Sequence, residues 1–234
     1  MANEHLFKRF DEELSRLDSR ISEMGGLAES QLARSLQAIR ERDSGLAESV
    51  IAADVRIDAI EKDIQEHVLQ MLALRQPMAI DLRQILSAVK MATTLERIAD
   101  YAKNNAKRSL VLMQGAALPR AIGGIDRIGR LVQSLLTDVL DAFAKNDVAA
   151  AEAVWKRDEE IDDVYNGLFR ELLTYMMEDP RTITAGTHLM FMSKNIERIG
   201  DHVTNIAELI AFRVTGTSFA SDRPKGSGAI YRPA

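Results

Sequence analysis

Residues 21–62 align without a gap on residues 125–166, an offset of 104. The matches include apolar pairs, Ile21/Ile125, Leu32/Leu136 and Leu36/Leu140, but also Gly25/Gly129, Ser30/Ser134, Asp43/Asp147, Asp54/Asp158 and Asp58/Asp162. Any two amphipathic helices share apolar spacing; glycines and acids shared at one offset mark an internal repeat. Further on the offset falls to 101. Glu96-Arg97-Ile98-Ala99-Asp100 then matches Glu197-Arg198-Ile199-Gly200-Asp201, and Asn104 matches Asn205. The chain is two copies of one unit, joined between Gln114 and Arg120.

The unit is helical. Phe7, Phe10, Leu14, Leu17, Ile21, Met24, Ala28, Leu32, Leu36 and Ile39 follow one another in steps of three or four, which is one buried stripe along a helix. The same pattern predicts six long helices at 4–42, 45–75, 78–113, 120–146, 148–177 and 181–214, with Gly, Pro and Asn/Asp clusters between them. No segment alternates with period two. The fold class is therefore all-α: two tandem, pseudo-symmetric three-helix bundles over 1–114 and 115–214. The Gly-, Ser- and Pro-rich residues 215–234 are expected to form a disordered tail.

Composition removes several kinds of chemistry. With no Cys there is no disulfide, thiolate metal site, iron–sulfur cluster or thiol nucleophile, and with 4 His a metal site has to be built mainly from carboxylates. A net charge of −5 argues against a nucleic-acid partner. No apolar run reaches the ~18 residues of a membrane span, and the mixed, acidic start is unlike a signal peptide. The expectation is a cytoplasmic protein that does not insert into the membrane.

Each unit carries two acidic pairs at i, i+4: Asp54/Asp58 and Glu96/Asp100, then Asp158/Asp162 and Glu197/Asp201. Residues four apart share a helix face, where like charges repel. The second and third helices of each unit are joined by a short turn and so run antiparallel. Asp58 with Glu96, and Asp54 with Asp100, have a common midpoint at residue 77; Asp162 with Glu197, and Asp158 with Asp201, have one between 179 and 180. All four acids of a unit thus reach the same height on its hairpin. Asn104 and Asn205 extend two of the stripes by a turn. Repulsion at such spacing costs about 1–4 kcal/mol per pair, and a bound cation converts that cost into affinity. The candidate metal ligands are Asp54, Asp58, Glu96, Asp100 and Asn104, and Asp158, Asp162, Glu197, Asp201 and Asn205, an oxygen-only set suited to hard divalent ions.

Other readings stay open at this point. The acids could form a solvated face neutralised by Arg97 and Arg198, or by Arg56 and Lys62. A carboxylate-bridged, metal-dependent enzyme is the alternative of a different class, although no Glu-x-x-His ligand motif and no nucleophile–base pair is visible.

Asn195-Ile196-Glu197-Arg198-Ile199-Gly200-Asp201-His202-Val203-Thr204-Asn205-Ile206-Ala207-Glu208 resembles the signature of the PhoU family. Residues 95–104, LERIADYAKN, resemble its first copy, and 75–83, RQPMAIDLR, its first hairpin turn. Ala99 stands where the family pattern has Gly, and Asn105 where it has an apolar residue. The resemblance implies paired three-helix bundles, a cytoplasmic homodimer, and Glu/Asp-x-x-x-Asp motifs that bind iron or other divalent ions such as Mn, Mg or Zn. It further implies a non-enzymatic accessory of phosphate transport that restrains phosphate-starvation signalling, with the transporter's ATPase subunit and a membrane sensor histidine kinase as partners.

Overall fold

The computed structural model describes residues 2–75, 78–115 and 118–219. Its helices are α1 (Ala2–Glu41), α2 (Ser44–Arg75), α3 (Ala79–Met113), α4 (Pro119–Lys145), α5 (Val148–Lys156), α6 (Asp158–Glu178) and α7 (Ile183–Thr215), with a 3-10 turn at Pro180–Thr182 before α7. No strand occurs among the described residues. The fold is all-α, two tandem pseudo-symmetric three-helix bundles: α1–α3 form one, and α4, α5–α6 and α7 form the other.

The repeat is legible in the turns. Arg42 and Asn146, one per half, close their helices at positive φ, 55° and 50°. The next residue caps the following helix: Asp43 Oδ1 accepts from the Leu46 amide at 2.9 Å, and Asp147 Oδ1 from the Ala150 amide at 3.0 Å. Each aspartate satisfies an amide that the first helical turn would otherwise leave unbonded. This is what the Asp43/Asp147 match encodes.

The expected helix over 148–177 is interrupted. At Arg157 (φ −89°, ψ 5°) the amide bonds to the Val154 carbonyl at 3.0 Å, and the Glu160 amide to the Arg157 carbonyl at 3.1 Å. Two three-residue steps replace four-residue ones, so α5 ends and α6 starts at Asp158. The local sequence has neither Gly nor Pro to signal the break. Arg157 itself is drawn sideways, donating to Glu160 at 3.2 Å and to Asp138 of α4 at 3.5 Å.

One apolar core runs through both bundles, from Leu17 and Ile21 on α1 to Ile206 and Ile210 on α7. The halves meet where α1 packs on α4 and α3 on α7. In the second contact Asn105, fully buried, accepts from Asn195 Nδ2 at 2.9 Å, and Tyr101 stacks on His202 with centroids 5.8 Å apart. The polar Asn105 thus has a partner across the interface. Met71 and Met192 fill the core, whereas Met177 is 82% exposed. Past α7, Phe219 packs on Trp155 at 5.3 Å; the rest of the expected tail, 220–234, lies outside the described residues. Among those residues no helix is long and apolar enough to cross a membrane.

Candidate metal-binding faces

In the first half the predicted acids gather on α2 and α3. Asp54 is 5% exposed and doubly bound: Gln31 Nε2 of α1 donates to its Oδ1 at 3.1 Å, and Lys103 Nζ to its Oδ2 at 2.5 Å. The same ammonium lies 2.6 Å from Asp100 Oδ1, and Asn104 Nδ2 donates to Asp100 Oδ2 at 3.1 Å. Lys103 therefore bridges α2 and α3 at the Asp54/Asp100 level.

One turn nearer the hairpin tip, Asp58 and Glu96 face a third carboxylate, Glu61, which the repeat did not single out. Burial pushes the Asp58 carboxyl up, with Asp54 adding to it and Lys103 opposing. Burial also raises Glu96, and Glu61, Asp100, Asp58 and Asp54 all push the same way. Glu61 Oε1 accepts from Thr93 Oγ1 at 2.8 Å. For Lys103, burial alone would favour the neutral amine; its hydrogen bonds to Asp100 and Asp54 outweigh that and hold it above its ordinary value, as an ammonium.

The second half keeps the acids and changes the cation. Asp158, 6% exposed, accepts from Thr204 Oγ1 at 3.1 Å. Lys194 Nζ donates to Glu197 Oε1 at 2.8 Å and lies 2.8 Å from Oε2 without an aligned bond, while sitting 5.2 Å from the centre of the Tyr165 ring. Burial raises the Glu197 carboxyl; Lys194 opposes, and Asp201 and Asp162 add to the rise. Asn205 differs from Asn104: it lines a cavity between α3 and α7 with Thr93, Arg97 and Glu208.

The cations expected from the sequence are engaged elsewhere. Arg56 pairs with Glu23 at 2.8 Å, Lys62 approaches Glu66 at 3.8 Å, Arg97 lines the α3–α7 cavity, and Arg198 lies 5.8 Å from the Tyr101 ring. Lys103 and Lys194 take that role. They escape a search for matching residues because the repeat exchanges them: at the offset of 101, Lys103 corresponds to Thr204 and Thr93 to Lys194.

The donor chemistry fits a hard divalent cation. The ligands are oxygen only, and the carboxyls of Asp58, Glu96 and Glu197 are raised chiefly by burial, with neighbouring carboxylates adding to the rise. No ready-made cage exists, however: among the described residues no three His, Asp or Glu side chains are arranged to hold one ion.

A family model described as the PhoU domain matches residues 21–109 and 125–210, one match on each half. The chain belongs to the PhoU family. Among PhoU relatives, the phosphate-specific transport system accessory protein PhoU homolog of Caulobacter vibrioides is 51% identical over 222 residues, covering 95% of this chain and 96% of that one. The protein of the same name from Rhizobium meliloti is 48% identical over 226 residues, covering 96% and 95%. The crystal structure of PhoU from Pseudomonas aeruginosa superposes with a TM-score of 0.86 at 41% identity, over 89% of this chain and 100% of that one. A phosphate transport system regulatory protein PhoU from Streptococcus pneumoniae gives 0.82 at 29% identity, over 91% and 100%.

The two departures from the PhoU signature have local explanations. A Cβ at Gly200 would come within 2.5 Å of Ile161 Cδ1, whereas Ala99 is fully buried beside a first-half core that accommodates its methyl. Asn105 is the buried partner of Asn195.

Proposed function

We propose that this PhoU protein is an accessory of phosphate transport that restrains phosphate-starvation signalling in the cytoplasm. As a homodimer it links the ATPase subunit of a phosphate transporter to a membrane sensor histidine kinase, relaying the transporter's state by contact and catalysing nothing itself. The observation that carries this reading is near-full-length identity of 51% to a protein named for that transport role.

Divalent ions, iron, Mn, Mg or Zn, are part of the proposal. Asp54, Asp58, Glu96, Asp100 and Asn104 would hold one set, and Asp158, Asp162, Glu197, Asp201 and Asn205 the other. A bound ion would supply positive charge that ties the second and third helices of a half together. The side chains do the rest: Gln31 and Thr204 orient the buried Asp54 and Asp158, and Asn104 orients Asp100.

Deletion of the gene tests the regulatory reading. Phosphate-starvation genes should switch on in phosphate-replete medium, and the intact chain supplied in trans should silence them. Unchanged repression after deletion overturns it. Pull-downs with the ATPase subunit and the kinase test the partners, and elemental analysis of protein purified without chelator or metal-affinity resin tests the ions.

A further inference from the structure

We infer that two copies of this chain pair through the broad face made by α2, α1, α4 and α5–α6, the basic groove of each copy against the acidic groove of the other. The inference deepens the homodimer proposed above by naming its face, on the side away from the α3–α7 contact. Between α1 and α2 runs a groove of about 520 Å³, walled by Leu27, Val50, Ala53 and Val55 and lined by Arg34 and Arg56. Val55 is 71% exposed there. Arg34 donates to Ser49 Oγ at 2.8 Å, and Arg56 pairs with Glu23 at 2.8 Å. At the offset of 104 the matching positions lie between α4 and α5–α6 and carry the opposite sign: Arg34 corresponds to Asp138, Arg56 to Glu160 and Glu23 to Arg127. In that second groove Arg157 spans both acids, donating to Glu160 at 3.2 Å and to Asp138 at 3.5 Å, and its own match is Ala53. Arg34, Ala53 and Arg56 thus carry two positive charges, and Asp138, Arg157 and Glu160 a net negative one. Complementary potentials of this kind set the register of an interface.

The heights of these groups agree with a two-fold pairing. Leu36 on Gly129 and Leu140 on Gly25 bracket the crossing of α1 and α4, so the pseudo-two-fold axis passes between residues 30 and 31 of α1. Arg34 lies one turn to one side of it. Arg34 meets Ser49 and Arg20 meets Asp63, so α2 runs antiparallel to α1 with Arg56 level with Leu27, one turn to the other side. At 1.5 Å per residue each arginine is about 5 Å from the axis. The repeat puts Asp138 and Glu160 at the same distances with the sides exchanged. A half-turn about a line in this face, parallel to the helices, preserves height and carries one groove over the other. It brings Arg34 level with Glu160 of the second copy, and Arg56 level with its Asp138. Each contact then occurs twice, so the assembly closes as a dimer instead of extending as a filament.

Sedimentation equilibrium on the full chain, at low and high salt, tests this. The wild type should be a dimer whose dissociation constant rises with salt, because the paired charges reach solvent. Arg34→Glu should raise that constant about a hundredfold, since each dimer then holds two like-charge contacts. Arg34→Gln, which removes charge without reversing it, should raise it about tenfold and serves if the first variant melts well below the wild type. Glu160→Arg combined with Arg34→Glu should bring the dimer back. Lys107→Glu, on the exposed surface of α3, should leave the dimer as it is. A dimer indifferent to Arg34→Glu and Arg34→Gln, one not restored by the double variant, or one broken by Lys107→Glu overturns the inference and leaves the homodimer reading standing. A wild type that stays monomeric overturns both.

Discussion

Leu36 of α1 packs against Gly129 of α4 so closely that a Cβ on the glycine would lie 2.6 Å from one leucine methyl and 2.7 Å from the other. The repeat mates reproduce the contact in reverse: Leu140 of α4 lies against Gly25 of α1, where a Cβ would meet it at 2.5 Å. The Gly25/Gly129 and Leu36/Leu140 matches in the sequence are therefore two halves of one reciprocal joint. It lets α1 and α4 approach across the pseudo-two-fold axis.

Gly129→Ala should lower stability by about 1–2 kcal/mol, because a leucine must move and the gain in helix propensity offsets only part of that. Gly26→Ala, one residue from the joint with nothing within 4 Å of the new methyl, should instead stabilise by about 0.5–1 kcal/mol. Urea denaturation of both variants checks the pair. Equal effects would mean that the close approach carries no energetic weight.

Arg213 near the end of α7 closes both terminal nitrogens on Asp18 of α1, at 2.6 and 2.5 Å, with its guanidinium 5.1 Å from the centre of the Phe143 ring. The arginine is 5% exposed and the aspartate side chain 37%. Asp18→Asn should cost about 2 kcal/mol, below the range for a fully buried pair because Asp18 reaches solvent. A double-mutant cycle with Arg213→Ala should return a coupling of about 1 kcal/mol or more; additivity would contradict it.

Glu96 predicts a pH dependence in metal-free protein. Its folded carboxyl sits above the ordinary 4.5, so between that value and the raised one the folded state binds the proton more strongly than the unfolded state. Its contribution to stability falls as pH rises through the raised value and is recovered as pH drops towards 4.5. Glu96→Gln should accordingly melt above the wild type at pH 7.5 in chelator, with the gap closing by about pH 4.5. A lower melting temperature for the variant at neutral pH would count against crowding by Glu61, Asp100 and Asp58.

Phe219 tests the segment after α7. Its ring lies on Trp155, whose Nε1 donates to Glu208 at 3.0 Å. Phe219→Ala should cost about 1 kcal/mol and shift the emission of the chain's single tryptophan to longer wavelength as water reaches it. An unchanged spectrum would show that the ring contact does not shield the indole.

The sequence by itself determined the helices, the two-fold repetition and the gathering of acids on each hairpin. These follow from short-range rules: a 3.6-residue period places apolar side chains on one stripe, and an antiparallel hairpin brings residues with a common midpoint to one height. The glycines of the α1–α4 joint were also visible, as matches without a stated purpose. Tertiary structure decided the purpose, because Gly25 and Leu140 lie 115 positions apart and meet only through packing.

It also decided the break at Arg157 and the identity of the counter-cations. The repeat paired like with like, whereas Lys103 and Lys194 stand opposite threonines, and the arginines beside the acids turn to Glu23 and to an aromatic ring instead. A lysine stem reaches several ångströms across a helix interface, so which of several nearby cations meets a carboxylate depends on how the helices are rotated and spaced, and that is set by the shared core of both halves.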